Sequence, residues 1–362
     1  MLIYVCSSSH GFGHAARDAA VLQQLRRLRP DWRLVMSSMV SPGFLSLLLG
    51  DGGIEQRPCR WDVGMVQADA LGSDPSATLI ALAELDARLP AQVQSEVSWV
   101  REQGLPVLIL GDIPPAAALL AEALDAPLVW MSNFGWDAIY RPFGGAFELM
   151  AERAQAAYRC GQLLLRCPFD LAMDWGLPEQ RLDLVCGTPR ALPDALKAFL
   201  ADLDSPIIQV GFGGMGLELD PQLFVHWPDH HFLMACPPDP QTSARLAGIA
   251  NLTLLPAGVR PLDASPYCER HIGKPGFSTF CEALSLDLGL HVVERRDFAE
   301  VSALMKGLTR HGRHRLLSRD QLMGGDWQLD QPLLHAKAEP LSSGGALQAA
   351  EQLIRVGDQL CN

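Results

Sequence analysis

The chain has 362 residues, 29 of them Lys or Arg and 41 Asp or Glu, which gives a formal net charge of −12. That length corresponds to two domains of ordinary size, and 48% hydrophobic against 19% charged side chains is the balance of a globular protein with a sizeable core. The acidic excess, with one dense basic run at 310–315, argues against a duplex nucleic-acid partner, whose phosphates require clustered Lys and Arg. Nine cysteines, odd in number, scattered and without a C-x-x-C, predict neither a disulfide framework nor a zinc site.

In chain order, an apolar strand at 2–5 runs into a glycine loop, Ser7-Ser8-Ser9-His10-Gly11-Phe12-Gly13-His14. A segment that turns polar so early is too short for a signal-peptide core, and no 18-residue apolar run follows anywhere, so the expected compartment is the cytoplasm. Val21, Leu22, Leu25 and Leu28 then recur at helical spacing, with Asp18 near the start and Arg26, Arg27 and Arg29 near the end. A strand at 33–36 is followed by Phe44, Leu45, Leu47, Leu48 and Leu49, which read most simply as a core helix and alternatively as a peripheral membrane contact. Next come a helix at 77–89, a strand at 106–110, a helix at 116–124, a strand at 127–131, a helix at 147–160 and a strand at 182–185. Cys186-Gly187-Thr188-Pro189 and Pro193 break the pattern.

A second strand with a glycine loop begins at 206–210 and continues into Gly211-Phe212-Gly213-Gly214-Met215-Gly216, with further strands at 231–235, 252–255 and 290–293. Strands alternating with helices predict parallel sheets with crossover helices. The expected division is an α/β domain over 1–187, a linker over 188–203, a second α/β domain over 204–340 and a C-terminal helix within 341–362 that packs back on the first domain. Two such sheets facing each other form a cleft, because ligands bind outside the carboxyl ends of the strands.

The segment 272–284 carries the most chemistry. Lys274 and Gly276 open a helix whose first residues, Ser278 and Thr279, bear hydroxyls, with Glu282 one turn in. A helix N-terminus offers unpaired N–H groups and the positive end of its dipole, so with Lys274 it can hold a diphosphate, and Glu282 can accept from a ribose diol. The competing reading is a capping box, Thr279-x-x-Glu282, which needs no ligand.

Four ordered blocks, 10–17, 62–70, 132–140 and 272–283, resemble GT-B glycosyltransferases, most closely the glycosyltransferase-like domain of plant L-arabinokinases. The 272–283 block is more distantly similar to the donor segment of the lipid II GlcNAc transferase and of plant glucosyltransferases. The resemblance implies two Rossmann-like doubly wound parallel-sheet domains facing across a cleft. It also implies a nucleotide-diphosphate sugar, UDP-sugar first, bound in the second domain near Gly213, Gly214, Lys274, Gly276, Ser278, Thr279 and Glu282. Asp297 and Glu300 lie where the family often sets acids or amides on the sugar hydroxyls, although the usual acid–glutamine pair is absent here. No G-x-x-x-x-G-K-[ST] loop is present, so the resemblance covers the transferase-like portion and not the kinase.

By the same resemblance His14 stands at the position of a general base and Asp112 at that of the aspartate that orients it. Imidazole suits the task because its unperturbed pKa is near working pH. His10 is the rival base, and Asp112 can alternatively cap the helix that follows. His10, Gly13, Asp62, Gln67, Asp69, Asn133, Trp136 and Asp137 are expected on the acceptor side, with Asp137 as an alternative base and Trp136 stacking on a sugar ring; each can equally satisfy local backbone. The expected activity is metal-independent, inverting transfer of a hexosyl or pentosyl group to an unidentified acceptor, with no cofactor. The alternatives are a nucleotide-sugar epimerase or hydrolase and a non-catalytic binding module.

Overall fold

The computed structural model describes residues 1–50, 52–67, 72–213, 219–295 and 298–360. The first half of the chain alternates β1 (Leu2–Ser7), α1 (Gly13–Leu28), β2 (Arg33–Ser37), α2 (Pro42–Leu49), β3 (Glu55–Arg57), α3 (Pro75–Glu102), β4 (Val107–Asp112), α4 (Ala117–Leu124) and β5 (Leu128–Ser132). It continues through α5 (Trp136–Tyr140), α6 (Ala146–Tyr158), β6 (Leu163–Arg166) and β7 (Glu179–Arg181). These strands form one parallel sheet in the order β3-β2-β1-β4-β5-β6-β7.

After α7 (Asp194–Ala201) the pattern repeats with β8 (Ile207–Gly211), α8 (Gln222–Val225), β9 (His231–Ala235), α9 (Pro240–Ala247), β10 (Leu252–Leu255), α10 (Pro261–Ala264), β11 (Arg270–Gly273) and α11 (Phe277–Ser285). Then follow β12 (Gly289–Val293), α12 (Glu300–His311), β13 (His314–Leu317), α13 (Arg319–Gly324) and α14 (Gly345–Leu360). The second sheet is also parallel, in the order β10-β9-β8-β11-β12-β13. In each sheet the strand order reverses between the first strand and the fourth, so β1/β4 and β8/β11 are the switch points at which doubly wound sheets bind ligands.

Local chemistry sets several helix starts. Ser41 caps α2 by accepting from the Phe44 N–H, and Asp74 and Asp239 do the same for α3 and α9 through the N–H groups of Ala77 and Thr242. Each of these caps is followed by a proline at the first helical position, where its missing N–H costs nothing. Strand alternation then divides the first core. Ile3 and Val5 face α1 and α14, and Leu2, Tyr4 and Cys6 face α3 and α4, so both faces of β1 are covered. The α1-side cluster runs on into Phe277, Phe280 and Cys281 of α11, so one apolar layer spans both sheets.

The expected strand at 182–185 does not form there. The edge strand is Glu179–Arg181, and Leu182, Leu184 and Val185 are buried instead beneath the C-terminal helix, where Leu184 pairs with the backbone of Ser342 and Gly345. Leu45, Leu48 and Leu49 of α2 lie in the core, which accounts for that apolar run. In the basic run, Arg313 bonds Asp287, Arg315 bonds Gln328 and His314 is buried in β13. Among the described residues, no helix is long and apolar enough to cross a membrane.

Helix α14 returns across α1, pinned by Arg29 to Asp358 at 2.5 Å and by Gln348 to the Asp183 carboxylate at 2.9 Å. At Gly357 the helix passes so close to Trp32 that a Cβ would lie 2.6 Å from the ring, whereas at Gly324 in α13 a Cβ meets nothing within 4 Å. Opposite outcomes follow from the same substitution. Gly324→Ala is expected to stabilise by about 0.5–1 kcal/mol through lower chain entropy, and Gly357→Ala to destabilise by about 1–3 kcal/mol through overpacking. Thermal unfolding of the two variants checks this; a rise in the Gly357→Ala midpoint would show that α14 is not held against Trp32.

Candidate active site

The carboxyl ends of β1 and β4 lie side by side, with Ser7 in register with Asp112 and the Ser8 N–H donating to the Asp112 carbonyl at 2.7 Å. The glycine loop after β1 delivers His14 as the second residue of α1, and Asp112 is the last residue of β4. His14 Nδ1 sits 2.8 Å from Asp112 Oδ1. The ring lines the cleft while Asp112 is wholly buried behind it, so Nε2 is the nitrogen left for the cleft.

Arg17, one helical turn after His14 and 1% exposed, is the group that sequence reasoning missed. Its Nε donates to Asp112 Oδ2 at 2.5 Å, its Nη2 to Oδ1 of the same carboxylate, and its Nη1 to Asn133 Oδ1 at 2.7 Å. Nη2 also lies 2.9 Å from His14 Nδ1. Burial alone would raise the Asp112 carboxyl; the charges of Arg17 and His14 outweigh it and hold the group below the usual carboxylate range. Asp18, next in the chain, is raised well above that range by burial and by Asp112. The pattern offered one signal, a basic residue on the same helical face as His14, three positions on.

His10 is a clamp and not a second free base. Its Nδ1 accepts from the Met65 N–H at 3.3 Å, and its ring stacks on Phe298 with centroids 5.4 Å apart. Burial, with His14, Arg295 and Lys274 nearby, lowers its pKa to about 3. Gly64 is required opposite it, because its φ is +67° and a Cβ there would lie 2.7 Å from the His10 ring.

Several residues expected on the acceptor side do not reach the cleft. Trp136 and Asp137 begin helix α5 and are buried; Trp136 Nε1 donates to Asp62 Oδ2 at 2.9 Å, and Asp137 accepts from Trp175 Nε1 at 3.3 Å. Stacking of Trp136 on a sugar and a base role for Asp137 are therefore corrected: burial pairs the Trp136 indole with Asp62 and the Asp137 carboxylate with Trp175. Asn133 is buried as well, donating from Nδ2 to Glu300 Oε1 at 2.7 Å, which carries the Arg17 network into the second domain. Gln67, Gly13 and His10 do line the cleft. Asp69, Gly214 and Asp297 lie outside the described residues.

Across the cleft, β8 and β11 present Gly211, Gly213 and Lys274, and α11 begins with its N-terminus toward the same space. The cap residue is Gly276 and no side chain caps the helix, so Thr279 falls in the first turn and the capping-box reading is corrected. Ser278 lines the cleft, and its hydroxyl donates to the Gly13 carbonyl at 2.8 Å, joining the starts of α11 and α1.

Gly213 has a φ of +76° and leaves room for Lys274, whose Cε would lie 3.4 Å from a Cβ there. Burial, then Arg295, lowers the Lys274 pKa to about 8. Burial raises Glu282 to about 7, opposed by Arg260 and reinforced by Asp263. Glu300, first residue of α12, lines the cleft with one oxygen committed to Asn133. Arg190 in the interdomain segment is tied to Asp263 at 3.0 Å. Among the described residues no three His, Cys, Asp or Glu converge as a metal cage.

No family model matches the chain. Over 331 residues, 88% of this chain, it is 25% identical to L-arabinokinase of Arabidopsis thaliana, and it spans 30% of that relative's length. Solved structures match along nearly the whole fold. Arabidopsis thaliana UGT89C1 complexed with UDP has a TM-score of 0.60 at 13% identity, covering 100% of this chain and 99% of that one. Phytolacca americana UGT2 complexed with UDP-2fluoro-glucose and pterostilbene has a TM-score of 0.60 at 11% identity, with full coverage of both chains. The calicheamicin glycosyltransferase CalG4 has a TM-score of 0.63 at 14% identity, covering 98% and 97%. The chain has the GT-B glycosyltransferase fold, two parallel-sheet α/β domains facing across a cleft.

Proposed function

We propose that this protein transfers a hexosyl or pentosyl group from a nucleotide-diphosphate sugar to an acceptor hydroxyl by single displacement with inversion, without a metal ion. The observation that carries the reading is His14, backed by Asp112 at 2.8 Å, across the cleft from Lys274 and the uncapped N-terminus of α11. His14 Nε2 takes the proton of the acceptor hydroxyl as that oxygen bonds to the anomeric carbon. The bond from that carbon to the diphosphate oxygen breaks, its electron pair leaves with the nucleoside diphosphate, and the proton stays on the imidazolium. Lys274 and the α11 N–H groups meet the charge that develops on the leaving group, which supports a metal-independent reaction.

Arg17 modifies this scheme. With its guanidinium bridging both Asp112 oxygens, the aspartate fixes the His14 ring and tautomer more than it lends negative charge to the imidazolium. The acceptor end is apolar: Phe12 and Phe44 stack 3.8 Å apart and line the cleft with Leu47 and Leu48. That wall suits an aromatic or aliphatic body carrying a hydroxyl. Among the fold neighbours, UGT89C1 is complexed with quercetin and UGT2 with pterostilbene, which makes both compounds rational first acceptors to test.

His14→Ala is expected to lower transfer by about 10²–10⁴-fold while leaving UDP-sugar affinity unchanged, the share a general base contributes. UDP release with a panel of UDP-sugars and phenolic acceptors measures it; an unchanged rate would remove His14 from the mechanism. UDP and free sugar released with no acceptor would favour the hydrolase.

Donor affinity should follow a bell with its optimum between pH 7 and 8. Below about 7 Glu282 is protonated and loses its charge-assisted bonds to the ribose diol; above about 8 Lys274 loses the charge that faces the diphosphate. Calorimetric titration of UDP-glucose from pH 6 to 10 tests this, with Glu282→Gln removing the acidic limb and Lys274→Gln the alkaline one. A flat profile would show that neither group meets the donor.

A further inference from the structure

Beyond the groups assigned above, one partly buried cation lines the cleft with two nitrogens that lack a hydrogen-bond partner among the described residues. Arg295 lies two residues past β12, lines the cleft beside Lys274, and has its Nε and Nη2 buried with no hydrogen-bond partner among the described residues. Its guanidinium is propped 4.6 Å above the Phe298 ring, and Phe298 is in turn stacked on His10. The side chain is thus held in place by an aromatic platform. Burial disfavours its charge and Glu300 favours it, but one Glu300 oxygen is already committed to Asn133.

On its far side Arg295 borders a second groove, into which Lys306, Arg310 and Lys337 also face, with Glu294 as the acid there. A guanidinium removed from water with unpaired N–H groups is costly unless a ligand completes it, and its planar fork matches a carboxylate or a phosphate.

The diphosphate already has Lys274 and the start of α11, both on the loop that follows β11. Arg295 is on the loop after the next strand, where the resemblance sets acids and amides against the hydroxyls of a neutral sugar. Here that loop reads Glu294-Arg295-Arg296-Asp297. A cation placed there recognises an anion on the sugar itself. We propose that the donor is a nucleotide-diphosphate uronate and that Arg295 pairs with the carboxylate at C6 of the sugar, an inference that rests on the nucleotide-sugar reading of the cleft.

The test is calorimetric binding of UDP, UDP-glucose, UDP-glucuronate, UDP-galactose and UDP-galacturonate to the protein and to Arg295→Gln. The expected result is a preference of about tenfold or more for one uronate over its neutral counterpart, worth about 1.4 kcal/mol. In Arg295→Gln this preference should collapse to within about twofold while affinity for UDP stays within about threefold. An unaltered melting temperature confirms that the variant is folded.

Equal affinity for uronate and neutral donors would overturn the uronate assignment and leave the nucleotide-sugar reading standing. Equal weakening of UDP and UDP-uronates in Arg295→Gln would do the same, by showing that Arg295 grips the diphosphate. Failure of every UDP compound to bind or to shift the melting temperature would overturn the nucleotide-sugar reading, and this inference with it.

Discussion

The buried ion pair between Arg17 and Asp112 is the interaction on which the site depends. Neither group is more than 1% exposed, so the pair has given up its hydration, and it is tolerated because nearly every donor and acceptor is used. Both Asp112 oxygens accept from Arg17, Asn133 takes a third N–H, and Ser132 Oγ lies 3.3 Å from Nη2. One guanidinium thereby joins the start of α1 to the ends of β4 and β5. Losing either partner would leave a charge stranded in the core, a defect typically worth about 3–5 kcal/mol. The Asp112 side chain consequently has one available position, and His14 Nδ1 is placed against it.

The same network determines how the two sheets meet. Asn133 passes from Arg17 to Glu300 at the start of α12, Ser278 reaches from α11 to the Gly13 carbonyl, and the Phe277 ring lies 4.8 Å from the Arg17 guanidinium. Each of these contacts joins one of the loops or helix starts at the strand carboxyl ends of one sheet to those of the other. His14 and the start of α11 therefore keep a defined separation across the cleft. Phe277, Phe280 and Cys281 of α11 pack into the α1-side cluster, so a single apolar layer continues from one sheet into the next.

What was legible in the sequence follows from what kind of burial each segment has. In the second sheet 231–235 and the edge strand 252–255 were readable to the residue, because each is a short apolar run whose larger side chains pack into the core. The two edge strands of the first sheet, Glu55–Arg57 and Glu179–Arg181, both read Glu-Gln-Arg; none of those six side chains is buried, so no apolar signal marks them. The misplaced strand at 182–185 is apolar because α14 covers it, a contact set by a helix more than 150 residues later that no local pattern contains. At the site, His14 and Asp112 were singled out by the family resemblance, and the fold brings the two side chains together at 2.8 Å. Arg17 was not, since an arginine on a helix reads as solvated unless its buried acid is known. Trp136 and Asp137 misled for a related reason: an indole and a carboxylate paired with buried neighbours have the same sequence signature as ones that face a ligand.

Charge in the cleft is organised differently from charge in the chain. Although acids exceed bases overall, those near the cleft floor are internally compensated: Asp112 by Arg17, and Glu300 in part by the Asn133 amide, while burial and Asp112 disfavour the charge of Asp18. His10 is neutral because burial and nearby cations keep it so. Lys274 and Arg295 then bring positive charge to the second-domain wall of the cleft, in a setting where little water screens them. A net-acidic chain can in this way carry local positive potential in its cleft, because that potential depends on the few charges nearby at low dielectric and not on the total. The first-domain wall presents Phe12, Phe44, Leu47 and Leu48 to the same cleft, so its two sides differ in kind: aromatic and aliphatic surface on one, Lys274 and Arg295 on the other.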